Sequence, residues 1–164
     1  MLTELDDLFT RLRTATAPLE IEALQSGIWQ IWLSTGEQAP DKILEAGMRA
    51  LSAGDHTLAI AEFDQLIAAA PAYAEGWNKR ATAYYLRGEY RAALLDIAET
   101  LRREPRHFGA LGGQAAILQQ LGETRRALRV LGRLAELCPN LPGLAEQRRE
   151  LREWLEDHGD GEIG

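Results

Sequence analysis

Apolar residues near both ends of the chain fall at helical spacing. In residues 3–14, Leu5, Leu8, Phe9 and Leu12 share one face behind Thr3, which is placed to cap the helix. Pro18 suits the first turn of a second helix, in which Ile21, Leu24, Ile28, Ile31 and Trp32 follow at steps of three and four. That pattern stops at the turn-rich stretch "STGEQAP". At the far end Pro142 opens a helix with Leu144, Leu151, Trp154 and Leu155 on one side and many charges on the other. The last stretch, "DHGDGEIG", is polar and glycine-rich and is expected to fray.

Between these flanks three residue types keep one period. Pro71, Pro105 and Pro139 are 34 residues apart; so are Gly54, Gly88 and Gly122, and so are Ala59, Ala93 and Ala127. An acid, Asp55, Glu89 or Glu123, follows each glycine. The 34-residue period resembles that of the tetratricopeptide repeat, whose unit is two antiparallel helices, A and B, and in that unit each mark has a physical reason. The glycine ends helix A in a left-handed conformation that a side chain resists. The acid opens helix B, where the helix dipole favours negative charge. The alanine lies where the two helices cross closely, and the proline sits at the turn after helix B, which it cannot continue.

A period of 34 is the length of a tetratricopeptide repeat, and residues 40–141 resemble that family. The large pair contacts are Ile43, Phe63 and Leu66 in the first copy, Trp77, Tyr84 and Ile97 in the second, and Leu111, Leu118, Leu131 and Leu134 in the third. The family's small residue midway along helix A is Gly47, Ala81 or Ala115. The second copy matches best. The first has Ile43 and Ala50 where the family prefers Trp and Tyr, and the third has Leu at both places with Gly112 and Gly113 inside helix A. Those two glycines should weaken that helix by about 1 kcal/mol each relative to Ala.

The resemblance implies an all-α fold: a right-handed solenoid of helical hairpins with covers at both ends, because terminal repeats expose apolar faces. The expected organisation is a degenerate repeat-like hairpin at 1–36, repeats at 40–73, 74–107 and 108–141, a capping helix at 142–158 and a disordered tail at 159–164.

Charge narrows the partners. The formal net charge is −7, which disfavours nucleic acid and anionic membrane surfaces, and the longest apolar runs fall short of a membrane span. The charge is uneven. Residues 74–141 carry eleven bases against seven acids, whereas 1–73 carry eleven acids against four bases. Arg125, Arg126, Arg129 and Arg133 fall on the third helix B, the convex side in the family. "MLTELDDLF" has neither the basic start nor the apolar centre of a signal peptide. A cytoplasmic protein is therefore expected, or a periplasmic one if a leader once preceded Met1.

No constellation of acids, bases or nucleophiles suggests catalysis. His56 and His107 lie at turns and His158 in the tail; none has the helical spacing of a zinc site. Cys138 before Pro139 reads as packing. "GALGG" at 109–113 lacks the Lys-Ser/Thr of a phosphate loop. Neither an enzyme, nor a cofactor, nor a metal site is expected.

In the tetratricopeptide family helices A line a concave groove that accepts an extended peptide or a helix. The resemblance carries that groove to Leu44, Met48 and Leu51 in the first copy, Asn78, Thr82 and Tyr85 in the second, and Gly112, Ala116 and Gln119 in the third. Relatives that clamp the terminal carboxylate of heat-shock chaperones use Lys and Asn at the first of these sites. Leu44 and Met48 stand there instead, so that clamp is not expected. The expected function is a protein-interaction module (an adaptor, scaffold or co-chaperone-like protein) that binds a partner polypeptide in the groove. The alternative is a structural subunit that self-associates, or docks into a larger assembly, through the hairpin carrying Trp29 and Trp32 or through the basic convex face.

Overall fold

Each of the three periodic glycines adopts the left-handed conformation that the pattern demands. In the computed structural model, which describes residues 1–159, Gly88 sits at φ 75°, and Gly54 and Gly122 repeat it at 77° and 74°. The chain reversal is the same each time. The Glu89 N–H donates to the Tyr84 carbonyl and the Gly88 N–H to the Tyr85 carbonyl, both at 2.9 Å. Asp55 with Ala50 and Gly54 with Leu51 repeat the pair, as do Glu123 with Leu118 and Gly122 with Gln119. These paired bonds satisfy carbonyls that the ending helix would otherwise leave without donors.

Among the described residues the chain forms nine α-helices and no strand: α1 Glu4–Thr14, α2 Pro18–Trp32, α3 Gln38–Ser52, α4 His56–Ala69, α5 Ala74–Leu86, α6 Tyr90–Arg103, α7 Phe108–Gln120, α8 Thr124–Leu137 and α9 Leu144–His158. The array is one of helical hairpins. Its prolines act as expected. Ala70, Glu104 and Cys138, each before a proline, leave helical geometry at φ near −140° with ψ between 69° and 93°. Apart from Gly159, the expected disordered tail lies outside the described residues.

The described chain falls into two compact units. One is residues 1–31 together with the chain from Leu111 onward; the other is Trp32–Ala110. In the second unit α3 packs on α4, α4 on α5 and α5 on α6. Its core gathers Leu44, Ala50, Ala59, Ile60, Phe63, Leu66 and Ala83. The periodic alanines Ala59 and Ala93 are fully buried. An Arg80 fork ties three helices of this unit. Its Nε and Nη2 donate to the two carboxylate oxygens of Asp96 on α6 at 2.8 Å, and its Nη1 donates to Asp64 on α4 at 2.7 Å. The bonds to Asp96 hold the guanidinium yet more firmly protonated than usual. Trp77 donates its indole N–H to the Pro71 carbonyl at 3.0 Å, and the Arg103 guanidinium lies 4.4 Å from its ring centre.

In the first unit α9 packs on α8, and α1 also packs on α8. Asn140, just after α8, donates its amide to the Ala15 carbonyl at the end of α1, at 2.9 Å. Thr3 and Asp6 form a reciprocal capping box at the start of α1. Phe9, Leu12, Ile21, Leu24, Ile28, Leu131, Leu134 and Leu144 are buried.

The turn between α2 and α3 is held by one carboxylate. Asp41 accepts from the Thr35 N–H and hydroxyl at 2.7 Å each and from the Ser34 hydroxyl at 2.8 Å. The Thr35 backbone bond, then its hydroxyl, hold the Asp41 carboxyl below its usual range. A group with a lowered folded pKa stabilises fully above its unfolded value and loses that contribution as pH falls through the folded one. Asp41→Asn should therefore lower the melting temperature at neutral pH. Its gap to the wild type should close below about pH 4, as followed by thermal melts from pH 7 to 2.

Two helical glycines separate packing from propensity. A Cβ on Gly47 would lie 2.4 Å from Phe63 Cε1, whereas one on Gly112 would meet nothing within 4 Å. Gly47→Ala should destabilise by about 1–3 kcal/mol through overpacking. Gly112→Ala should stabilise by about 1 kcal/mol through helix propensity. Urea unfolding of the two variants checks the opposite signs.

Candidate functional site

The residues expected to line the groove divide by accessibility. In the second unit Leu44 is 2% exposed and belongs to the core, with Met48 and Leu51 partly buried against the same cluster. Asn78 is 7% exposed and donates its amide to Glu75 Oε1 at 3.0 Å. Thr82, one turn on, is exposed, and its hydroxyl donates to the Asn78 carbonyl at 3.1 Å. Tyr85 is half-buried, with its ring 5.7 Å from that of Tyr90. α3 contacts α5, so the first two helices A lie side by side. Ala116 and Gln119 belong to the other unit. Both are partly exposed, and the Gln119 amide donates to the Ala115 carbonyl at 3.3 Å. Gly112 is likewise partly exposed there.

Beneath Asn78 lies a polar cluster that the sequence did not announce. Glu75, in the first turn of α5, is 1% exposed, and His107, just before α7, is 0% exposed. His107 Nε2 hydrogen-bonds Glu75 Oε1, the oxygen that also accepts from Asn78. The other ring nitrogen, Nδ1, accepts from the Ala110 N–H at 3.0 Å and so caps α7. With Nδ1 an acceptor, the proton directed at Glu75 is carried by Nε2. Lys79 Nζ stands 3.6 Å from Glu75 Oε2, a buried oxygen that receives no hydrogen bond.

Trp32 covers this cluster. Its ring stacks on His107 with centroids 4.3 Å apart and planes 10° apart, and it meets Phe108 at 5.2 Å. The Tyr73 hydroxyl donates to the Trp32 carbonyl. Burial, with the Glu75 and Asp41 carboxylates nearby, pushes the Tyr73 phenol far above its usual range, which keeps it a donor.

A carboxylate bonded to an imidazole is half of a catalytic arrangement, but both nitrogens of His107 are engaged and the ring is sealed from solvent. The pair holds structure together rather than presenting a base to a substrate. The remaining histidines lie elsewhere: His56 opens α4, and His158 stacks on Trp154 at 4.5 Å. Burial pushes the Cys138 thiol up, away from the reactive thiolate. Among the described residues no group of three or more His, Cys, Asp and Glu is placed to hold a metal ion, and no helix is long and apolar enough to cross a membrane.

Sequence reasoning placed His107 at a turn but passed over Glu75. The available signal was the spacing of Glu75, Asn78 and Lys79 at i, i+3 and i+4 on one helical face. Glu75→Ala would leave His107, Asn78 and Lys79 facing an empty acceptor position. It should cost about 3 kcal/mol or more, with Glu75→Gln, which keeps one acceptor oxygen, costing less. Denaturant midpoints of the two variants measure the difference.

No protein-family model matches the chain. The chain is 34% identical over 151 residues to a TPR repeat-containing protein of Rhizobium etli, spanning 92% of this chain and 74% of that one. Among solved structures it is similar to the first TPR of Spaghetti bound to an HSP90 peptide, with a TM-score of 0.66 and 20% identity over 71% of this chain and 95% of that one. The TPR2B domain of yeast Sti1, in its pHsp70 complex, gives a TM-score of 0.62 and 20% identity, covering 72% of this chain and 96% of that one.

Proposed function

The chain belongs to the tetratricopeptide repeat family, and on that premise we propose that it is a non-enzymatic protein-interaction module that binds a partner polypeptide along the helix A face of α3 and α5. The observation that carries this reading is the accessible strip on that face. Exposed Thr82 and half-exposed Tyr85 stand one turn apart on α5, and Met48 and Leu51 on α3 add partly covered apolar surface. Tyr85 supplies a large contact area at low entropic cost, the character of residues that dominate binding energy. Thr82 adds a hydroxyl able to accept from a peptide N–H. Solved structures of similar fold include one bound to an HSP90 peptide and one in a pHsp70 complex, which supports a polypeptide as the class of ligand.

Burial assigns different duties within the strip. Leu44 and Asn78 lie under it, the first as core and the second holding Glu75. They act by fixing the shape of α3 and α5 rather than by touching the partner. A binding test built on Asn78 would therefore confuse recognition with stability, because removing a buried donor costs about 1–3 kcal/mol.

The alternative working surface is the set of exposed arginines on α8, Arg125, Arg126, Arg129 and Arg133, suited to an acidic partner or to another copy of the chain. Thr82→Ala with Tyr85→Ala should abolish capture of the partner from the native cell while the melting temperature moves by no more than a few degrees. Retention of the same proteins by that double variant, with their loss from Arg129→Glu, Arg133→Glu, would transfer the function to the α8 face.

A further inference from the structure

We propose that the Trp32 side chain is a ligand in cis: it fills a recognition pocket formed by Tyr73, His107 and Phe108, with His107 held by Glu75, and a partner segment presenting an aromatic side chain competes with it for that place. This rests on the reading of the helix A face as a peptide-binding surface and names what one part of it recognises.

Three features of the contact are those of a bound peptide rather than of ordinary core packing. The ring is recognised by a flat aromatic partner, in near-parallel stacking at 4.3 Å. The main chain is recognised as well, since the Tyr73 hydroxyl donates to the Trp32 carbonyl. The floor beneath is polar and pre-organised: Glu75 holds His107 Nε2 and the Asn78 amide on one oxygen, while the Ala110 N–H fixes the far side of the His107 ring. A core tryptophan needs apolar neighbours of the right volume. It needs neither an imidazole oriented by a buried carboxylate nor a hydroxyl on its own carbonyl.

The pocket is also placed where the repeat does not require it. Tyr73 and His107 stand 34 residues apart, at the same position before successive helices A. Each is therefore presented by the same turn, closed by the Tyr73 N–H on the Ala70 carbonyl at 3.0 Å and by the His107 N–H on the Glu104 carbonyl at 3.1 Å. The period supplies the backbone, and these two side chains add an aromatic grip that the period leaves open. Trp32 itself is only half-buried, so a competitor need not reach through a sealed core to meet it.

An occupant in cis raises the apparent dissociation constant of any competitor by the ratio of filled to open pocket. The probe is a synthetic peptide of this chain's own residues 28–37, "IWQIWLSTGE", with a second peptide in which Trp29 and Trp32 are both replaced by Ala as control. N-acetyl-tryptophanamide serves as a probe that needs no helix. Trp32→Ala should bind the peptide about 10-fold or more tightly than the wild type, and should rise in melting temperature with N-acetyl-tryptophanamide where the wild type does not. Trp32→Leu, which fills the space but cannot stack on His107, should fall between them. The control peptide should fail on all three proteins, and His107→Ala added to Trp32→Ala should remove both responses. If helical, cooperatively melting Trp32→Ala and Trp32→Leu proteins bind neither probe, or the wild type binds the peptide as tightly as they do, the proposal is overturned. This titration reports on the pocket alone, whereas the capture experiment with Thr82 and Tyr85 reports on the wider surface, so each reading fails separately.

Discussion

The reversal after each helix A governs everything downstream of it. At Gly54, Gly88 and Gly122 two backbone bonds close a left-handed turn, and the geometry of those bonds fixes where helix B starts. An acid takes the next position each time, but only Asp55 reaches back to cap, accepting from the Leu58 N–H at 2.9 Å. Glu89 and Glu123 make no such bond. Their extra methylene carries the carboxylate past the first-turn amides, and they pair instead with Arg87 and Arg126. The cap side chain is thus dispensable and the left-handed glycine is not. With the turn fixed, the alanine of helix B arrives at the crossing and leaves space for close approach, which is why Ala59, Ala93 and Ala127 are fully buried.

Two charge networks, one part-buried and one buried, share the second unit, and they do different work. Arg80 joins Asp64, Asp96 and the rings of Trp77 and Tyr84, so one side chain of α5 fixes the positions of α4 and α6. Burying such charges gives little net stability against an apolar replacement. What it restricts is the set of partners each helix can accept, since any slip leaves a charge without its counterpart. Glu75 and His107 impose the same restriction at the start of α5, and Trp32 stacks on the His107 ring.

The helical-hairpin fold was legible because three independent marks repeat with one period, and each answers a steric or backbone requirement that no other residue meets as cheaply. The polar cluster was not, because its members follow no period. Glu75 and His107 are 32 residues apart, and glutamate is among the residues least often buried, so the local spacing with Asn78 and Lys79 read equally well as the surroundings of a solvated glutamate. The bond from Asn140 to Ala15 spans 125 residues and leaves no trace in hydrophobic spacing, since both helices would look the same on any other partner. Of the strip on α3 and α5, residue types were readable but burial was not. Asn78 suggested a peptide-binding amide, and its actual bond to Glu75 depended on the depth of a neighbour.

Repetition itself shows where specificity has to reside. Residues 73, 107 and 141 occupy one backbone position three times, and the chain places Tyr, His and Leu there. The scaffold tolerates all three because the turn is closed by main-chain bonds, at 3.0, 3.1 and 3.3 Å, and asks nothing of the side chain. A position with a fixed backbone and a free side chain can change its chemistry without disturbing the fold. Tyr73 and His107 use that freedom to grip a main-chain carbonyl and an aromatic ring. The marks that keep the period hold the array together, and the positions that break it are free to differ in chemistry.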